Sequence, residues 1–432
     1  MKRMIEKSLI QWKNDPNRKP LMVYGARQVG KTYSILAFGK EHYADTVYFN
    51  FENNAPLCSV FERDLDVDRI ITSLSALSGK KIVAEQTLIF FDEIQAAPKA
   101  ITSLKYFCEN APQYHIIAAG SLLGVSVNRE SVSFPVGKID SLTMYPLNFR
   151  EFLWATDNEA LSEMIEEGYE TNCPLVAALH EKAMDLYKTY LLVGGMPECV
   201  SEYIDKKDFD FVRVKQSRIF NDYSSDMSKY STKSEAVRHE ATFISIPSQL
   251  AKENKKFQYS LIGSGARGRQ YEDSIHWLTK AGIALKCEKA NEGKTPVEFY
   301  KDSLSFKIYM SDVGLLMSKM TVPPATVLSD INFGGEAKGA ITENYVAQQL
   351  AANNLNLYYW ASANTAEVDF IVQLKEYVIP VECKSNENVR SRSLRVYTDK
   401  YVPPYAIRIS GKNFGFENGI KSVPLYAAFC IG

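Results

Sequence analysis

Paired cysteines, an excess of either charge, long apolar runs and metal-type histidine spacing are all missing from this 432-residue chain. Seven cysteines stand singly at 58, 108, 173, 199, 287, 383 and 430, and none forms a CxxC pair. An odd, dispersed set argues against a disulfide framework and a zinc site. Fifty Lys and Arg against 51 Asp and Glu leave a formal charge of −1. No global field therefore draws the chain onto nucleic acid, and any such contact needs a local basic patch. No apolar run approaches the length that spans a bilayer, and MKRMIEKSLIQWKNDPNRKP interrupts its apolar positions with charge and has no signal-peptide core. His42, His115, His180, His239 and His276 have no ligand spacing and read as structural. Repeats and low-complexity linkers are absent too. A reducing cytoplasm with no membrane partner is the expectation.

What is present begins at residues 21–32. A short apolar run, Leu21 to Tyr24, flows into Gly25-Ala-Arg-Gln-Val-Gly30-Lys31-Thr32, the phosphate-loop pattern G-x-x-x-x-G-K-[ST]. Two glycines let the backbone curl so that its N–H groups point at phosphate oxygens. Lys31 brings a cation to the β- and γ-phosphates, and the Thr32 hydroxyl holds Mg²⁺. The helix starting there adds its positive dipole end. Gly25, Ala26, Arg27, Gln28, Val29, Gly30, Lys31, Thr32 and Tyr33 are thus the expected nucleotide-binding residues, with ATP and Mg²⁺ as ligands.

Hydrolysis needs a base and a second metal contact. Thr87-Leu-Ile-Phe-Phe91 is a buried-strand sequence that carries Asp92 and Glu93 to the sheet edge. Asp92 is placed to hold Mg²⁺ through water, and Glu93 to polarise the attacking water. The next apolar run, HIIAAG, ends at Ser121, where a hydroxyl can sense the γ-phosphate. Arg27, Arg129 and Arg150 are candidate fingers, none singled out. Strands read at 21–24, 46–51, 87–91 and 115–119 with helices between them, a parallel sheet covered on both faces. The interval between loop and Asp92 leaves room for the 46–51 strand, the ordering of additional-strand ATPases.

Taken in order, GARQVGKT, IFFDEIQ, AAGS, FPVGKID, YPLNFREFL and GGMPE resemble the prokaryotic AAA-type ATPases with a C-terminal domain of unknown function. The resemblance extends along nearly the whole chain. It implies an α/β protein: a P-loop NTPase core (AAA-type, parallel sheet) over 1–150, a helical lid or connector over 151–232, a winged-helix-like domain over 233–325 and a nuclease-like domain over 326–432. Where many relatives have Gly-Arg, this chain has Gly137-Lys138, and lysine lacks the bidentate fork of arginine.

The last domain holds a second constellation. If 367–374 and 377–384 form an antiparallel hairpin centred on Lys375-Glu376, Asp369 faces Glu382 directly, with Lys384 two positions on along the same face. Two opposed carboxylates repel unless a cation sits between them or one stays protonated. Together with Glu343 on the preceding helix, this set resembles the PD-(D/E)xK nuclease superfamily. The resemblance implies Glu343, Asp369 and Glu382 as metal ligands and Asp369, Glu382 and Lys384 as catalytic residues. In the middle region, Lys255, Lys256, Arg267 and Arg269 make a basic patch in a helix-turn-helix-like order, suited either to DNA phosphates or to intramolecular packing.

These readings combine into an ATPase, with Lys31, Glu93 and Ser121 catalytic, whose nucleotide state positions a nuclease-like domain on DNA. One rival is an ATP-gated nucleic-acid- or protein-binding scaffold whose C-terminal domain does not cleave. A small-molecule kinase is the other; Glu93 beside Asp92 and the long C-terminal extension count against it.

Overall fold

Short apolar strands alternating with helices build the first sheet. The computed structural model describes residues 1–121, 134–252, 255–263, 265–329, 334–362, 366–385 and 392–432. The chain divides into two compact units. One comprises Arg3–Tyr145 with Lys280–Gly282, the other Met1–Lys2, Pro146–Thr279 and Ile283–Gly432.

In the N-terminal unit, β1 (Leu21–Tyr24), β2 (Asp45–Asn50), β3 (Thr87–Asp92), β4 (His115–Ala119) and β5 (Asp140–Thr143) form a wholly parallel sheet of order β2-β3-β4-β1-β5. Every residue of β3 and β4 is buried, as parallel strands covered on both faces must be. Phe51 and Phe61 each pack edge to face with Phe91 in the core beside the helices Ala55–Glu62 and Val67–Ser78. β4 lies between β1 and β3. The loop after β1 and the acidic end of β3 therefore flank the end of β4, where Ser121 follows. β5 is absent from the sequence reading: DSLT is short, half-exposed and carries no apolar run.

The C-terminal unit contains an eight-stranded mixed sheet of order β12-β13-β11-β10-β9-β8-β6-β7. Its strands are β6 (Ala284–Ala290), β7 (Lys301–Met310), β8 (Tyr358–Ala361), β9 (Glu367–Leu374), β10 (Tyr377–Cys383), β11 (Ala406–Ser410), β12 (Gly415–Glu417) and β13 (Ile420–Pro424). β6 and β7 fall within the region read as a winged-helix-like domain, and they continue this sheet. β6 runs parallel to β8 through Glu288↔Tyr358. A wing is a solvated hairpin, whereas Ser305 to Met310 are buried to the last residue. Apolar content drew those residues inward.

The helix Gly335–Ala352 is buried from Ala340 to Ala351 although it carries Asn344, Gln348 and Gln349 there. Each amide terminates another element. Asn344 accepts from the Met310 N–H at 2.8 Å and donates to its carbonyl at 3.1 Å. Gln348 accepts from the Val313 N–H at 2.9 Å and donates to the Tyr190 hydroxyl at 2.8 Å. Gln349 accepts from the Phe149 N–H at 2.8 Å. The side-chain oxygen of each amide is paired in this way, as most buried polar groups are.

Candidate active site

The turn after β1 is shaped by glycine. Gly25 has φ +141°, and a Cβ there would lie 2.2 Å from the Met144 carbonyl oxygen. Gly30, at φ +94°, caps the helix Lys31–His42. Lys31 is buried, and its ammonium donates to the Gly25 and Ala26 carbonyls, both at 2.8 Å. Neutral carbonyls are weaker acceptors than phosphate oxygens, so this ammonium is held in the loop in a form that an anion can recruit. Arg3, which sequence reasoning missed, braces the loop: its guanidinium donates to the carbonyls of Val29 and Tyr145, each at 2.7 Å.

The Thr32 hydroxyl donates to the Asp92 carboxylate at 2.7 Å. Loop and β3 are thereby joined by the two side chains that sequence reasoning gave to one metal ion. A hydroxyl and a carboxylate are the hard oxygen donors that suit Mg²⁺. The Tyr48 phenol also donates to Asp92, at 3.1 Å, and its pKa is raised by burial and then by the Asp92 charge. No sequence signal marked Tyr48. Glu93 adopts φ +50° and ψ +39°, and its carboxylate accepts from the Gln95 amide. A non-glycine residue in this left-handed region costs about 1–3 kcal/mol and persists where its surroundings over-determine it. Ser121 is buried. Of the candidate fingers, Arg150 pairs with Glu166 at 2.9 Å and lies over the Phe429 ring, and Arg129 lies outside the described residues. Lys138 pairs with Glu109 at 3.0 Å.

In the C-terminal unit the β9–β10 hairpin has the register expected from Lys375-Glu376, from Tyr377↔Leu374 to Val381↔Phe370. Lys375 takes φ +54°, so the turn forms without glycine or asparagine. The pairing ends at Val381↔Phe370, one position short of Asp369 and Glu382. Asp369 accepts from the Cys383 N–H at 2.8 Å, and Glu382 pairs with Lys384 at 2.7 Å.

Glu343 has three cationic or hydroxyl partners. The Lys307 ammonium lies 3.0 Å away, and Lys255 and the Tyr309 hydroxyl also bond its carboxylate. Lys307 pairs with Glu367 as well, at 2.6 Å. Burial alone would raise the Glu343 pKa, but Lys307 and Lys255 more than offset it and hold the carboxyl well below its usual range. Asp369 moves the other way, raised by burial and then by the Glu343 charge.

Among the described residues, the carboxylates Glu343, Asp369 and Glu382 do not gather as a trio; the one group of three or more whose ligand atoms all fall within 4.8 Å of one another is Glu6, Glu41 and His42. With the Glu343 oxygens committed to two ammonium groups and a phenol, this arrangement does not fit a divalent cation. The sequence signal for the missed partners was present: Lys307 and Tyr309 alternate in FKIYM, a charged residue within an otherwise apolar run. Lys255 is thus withdrawn from the expected basic patch, while Lys256, Arg267 and Arg269 are exposed.

The AAA domain family matches residues 17–153. A domain of unknown function (DUF8612) matches 184–326, and another (DUF4143) matches 338–428. No curated protein matches the chain. Among solved structures, it is similar to a Walker-type ATPase of Pyrococcus abyssi, at 16% identity over 74% of this chain and 95% of that one, with a TM-score of 0.42. It is also similar to the ORC1 protein of Aeropyrum pernix in complex with DNA, at 15% identity over 76% and 91%, TM-score 0.29. AMPPCP-bound DnaA from Aquifex aeolicus matches at 14% identity over 64% and 84%, TM-score 0.28. No helix among the described residues is long and apolar enough to cross a membrane.

Proposed function

The chain is an AAA-type protein that carries the C-terminal domain of unknown function DUF4143, and from that premise we propose that it is an ATP-hydrolysing switch whose C-terminal unit binds nucleic acid without cutting it. The observation that carries the first half is the 2.7 Å contact between Thr32 and Asp92 beside a buried Lys31. Backbone N–H groups of Gly25–Thr32 bind the phosphates, and Lys31 leaves its two carbonyls for the β- and γ-oxygens. Thr32 and Asp92 would hold Mg²⁺, which when bound would supply positive charge beside the transferred phosphoryl group. Glu93 orients the attacking water and takes its proton, and Ser121 contacts the γ-phosphate or that water.

The second half rests on Glu343. A carboxylate already compensated by Lys255 and Lys307 has no call for a metal. Exposed Lys256, Arg267 and Arg269 supply phosphate contacts, so binding should weaken steeply with salt.

Lys31→Ala should abolish nucleotide binding. Glu93→Gln should keep it and lower turnover by roughly 10²–10⁴-fold. Unchanged turnover in either variant would overturn the ATPase assignment. DNA binding should depend on ATP and survive Asp369→Asn. Cleavage of DNA or RNA by the unaltered protein with Mg²⁺ or Mn²⁺, lost in Lys384→Ala, would overturn the non-cleaving assignment.

A further inference from the structure

Tyr48 stands on β2, an edge strand of the N-terminal sheet, directly beside Phe90 of β3. Its ring lies against the Phe90 ring, with centroids 5.4 Å apart. Side chains two positions apart on a strand share a face and stand about 6.6 Å apart along it. Asp92 is therefore on the face that carries Phe90, and a phenol seated on Phe90 spans that distance. The bond is made: the Tyr48 hydroxyl donates to Asp92 Oδ2 at 3.1 Å and accepts from the Asn50 amide at 3.4 Å. Oδ2 also accepts from the Thr32 hydroxyl at 2.7 Å, and Oδ1 accepts from the Glu93 N–H at 3.1 Å. A carboxylate has about four acceptor positions, so these three donors fix its orientation.

We propose that Tyr48 is a positioning residue of this site: its phenol holds the Asp92 carboxylate in the orientation that a divalent cation bound at Thr32 requires. This rests on the ATPase reading above and deepens it, since it names the group that sets the site's demand for metal. Thr32 lies in the first turn of the helix that follows the phosphate loop, so its hydroxyl answers to whatever the loop holds. The Glu93 N–H engages the other carboxylate oxygen. Tyr48 is anchored in the sheet and holds Oδ2 from the neighbouring strand, whatever the loop contains. Its side chain is too open for a core residue, at 41% exposure, so the hydroxyl rather than buried ring area carries the contact.

The test is binding of a fluorescent, non-hydrolysable ATP analogue to the full chain, unaltered and as Tyr48→Phe, first in EDTA and then in a Mg²⁺ titration. Tyr48→Phe keeps the ring on Phe90 and removes only the donor. In EDTA the two chains should bind the analogue equally. The Mg²⁺ concentration that gives half of the gain in affinity should rise roughly three- to tenfold in Tyr48→Phe, the worth of one hydrogen bond whose place water partly takes. An unchanged Mg²⁺ requirement overturns the assignment. So does a loss of affinity already complete in EDTA, which marks a packing defect.

A second readout needs neither metal nor nucleotide. With tyrosine ring carbons labelled, the Tyr48 Cζ resonance, assigned by its loss in Tyr48→Phe, should move in Asp92→Ala, and an unmoved resonance would sink the proposal. The two readings fail differently. Equal analogue binding by Lys31→Ala and the unaltered chain would overturn the nucleotide site itself. Binding that needs Lys31, with the same Mg²⁺ requirement in Tyr48→Phe, would overturn the role of Tyr48 alone.

Discussion

Lys307 is the residue on which the stability of the C-terminal centre turns. It is fully buried and compensates Glu343 at 3.0 Å and Glu367 at 2.6 Å. Burial works against its charge, and those two carboxylates with Asp369 more than restore it, so its pKa stands well above that of a free lysine. Removing one member of a buried ion pair costs about 3–5 kcal/mol, because the remaining charge stays desolvated. Lys307→Met should lose that much in urea unfolding. Lys255→Met should lose less, since water can reach the space its partly exposed side chain leaves. Equal losses would mean that both lysines are equally embedded. At this scale the sequence was legible where chemistry fixes a pattern: the phosphate loop, Asp92 and Glu93 lie at one sheet edge. It was silent on Arg3 and Tyr48, whose roles arise from distant chain segments meeting them.

At the scale of elements, the GGMPE motif acquires a structural account. A Cβ on Gly195 would lie 2.0 Å from the Leu147 carbonyl oxygen, and the Gly195 N–H donates to buried Asp312 at 2.6 Å. The Leu147 N–H in turn donates to the Gly195 carbonyl at 2.7 Å. Three segments far apart in sequence therefore meet where only glycine fits. Gly195→Ala must displace backbone. An overpacked or strained core site costs about 1–3 kcal/mol, to be checked by the urea midpoint of the C-terminal unit; an unchanged midpoint would show that Leu147 yields freely.

The same scale explains which elements could be read in advance. Continuous apolar runs gave β1 to β4, and the hairpin register followed from a two-residue turn. β5, β12 and β13 are short or half-exposed and carry no such run. β6 and β7 lie in the region read as winged-helix-like yet continue the eight-stranded sheet, since periodicity reports burial and not pairing.

For the whole molecule, two buried titratable groups respond to acid with opposite sign. His115 in the N-terminal unit is buried on β4, its Nδ1 2.7 Å from the Tyr43 hydroxyl. Burial, then Arg18 and Lys13, lowers its pKa from 6.5 to about 4. Between those values the unfolded chain binds a proton that the folded unit refuses. The stability that His115 contributes is therefore complete above pH 6.5 and is lost as pH falls towards 4.

Asp312 in the C-terminal unit is raised from 3.8 to about 6 by burial, against the N–H donors of Gly195, Leu315 and Gly314. Its folded form holds the proton more tightly. Its contribution is complete below pH 3.8 and is lost as pH rises through 6. Each effect is at most about 3.5 kcal/mol.

Methionine oxidation in urea reads the units separately, through buried Met22 in one and buried Met310 in the other. Between pH 7 and pH 4.5, His115→Gln should flatten the fall of the Met22 midpoint. Asp312→Asn should make the Met310 midpoint fall more steeply than in the unaltered protein, because the group that opposes acid loss is gone. If neither slope changes, the two burials do not govern protonation, and pH stability comes from the exposed carboxylates instead.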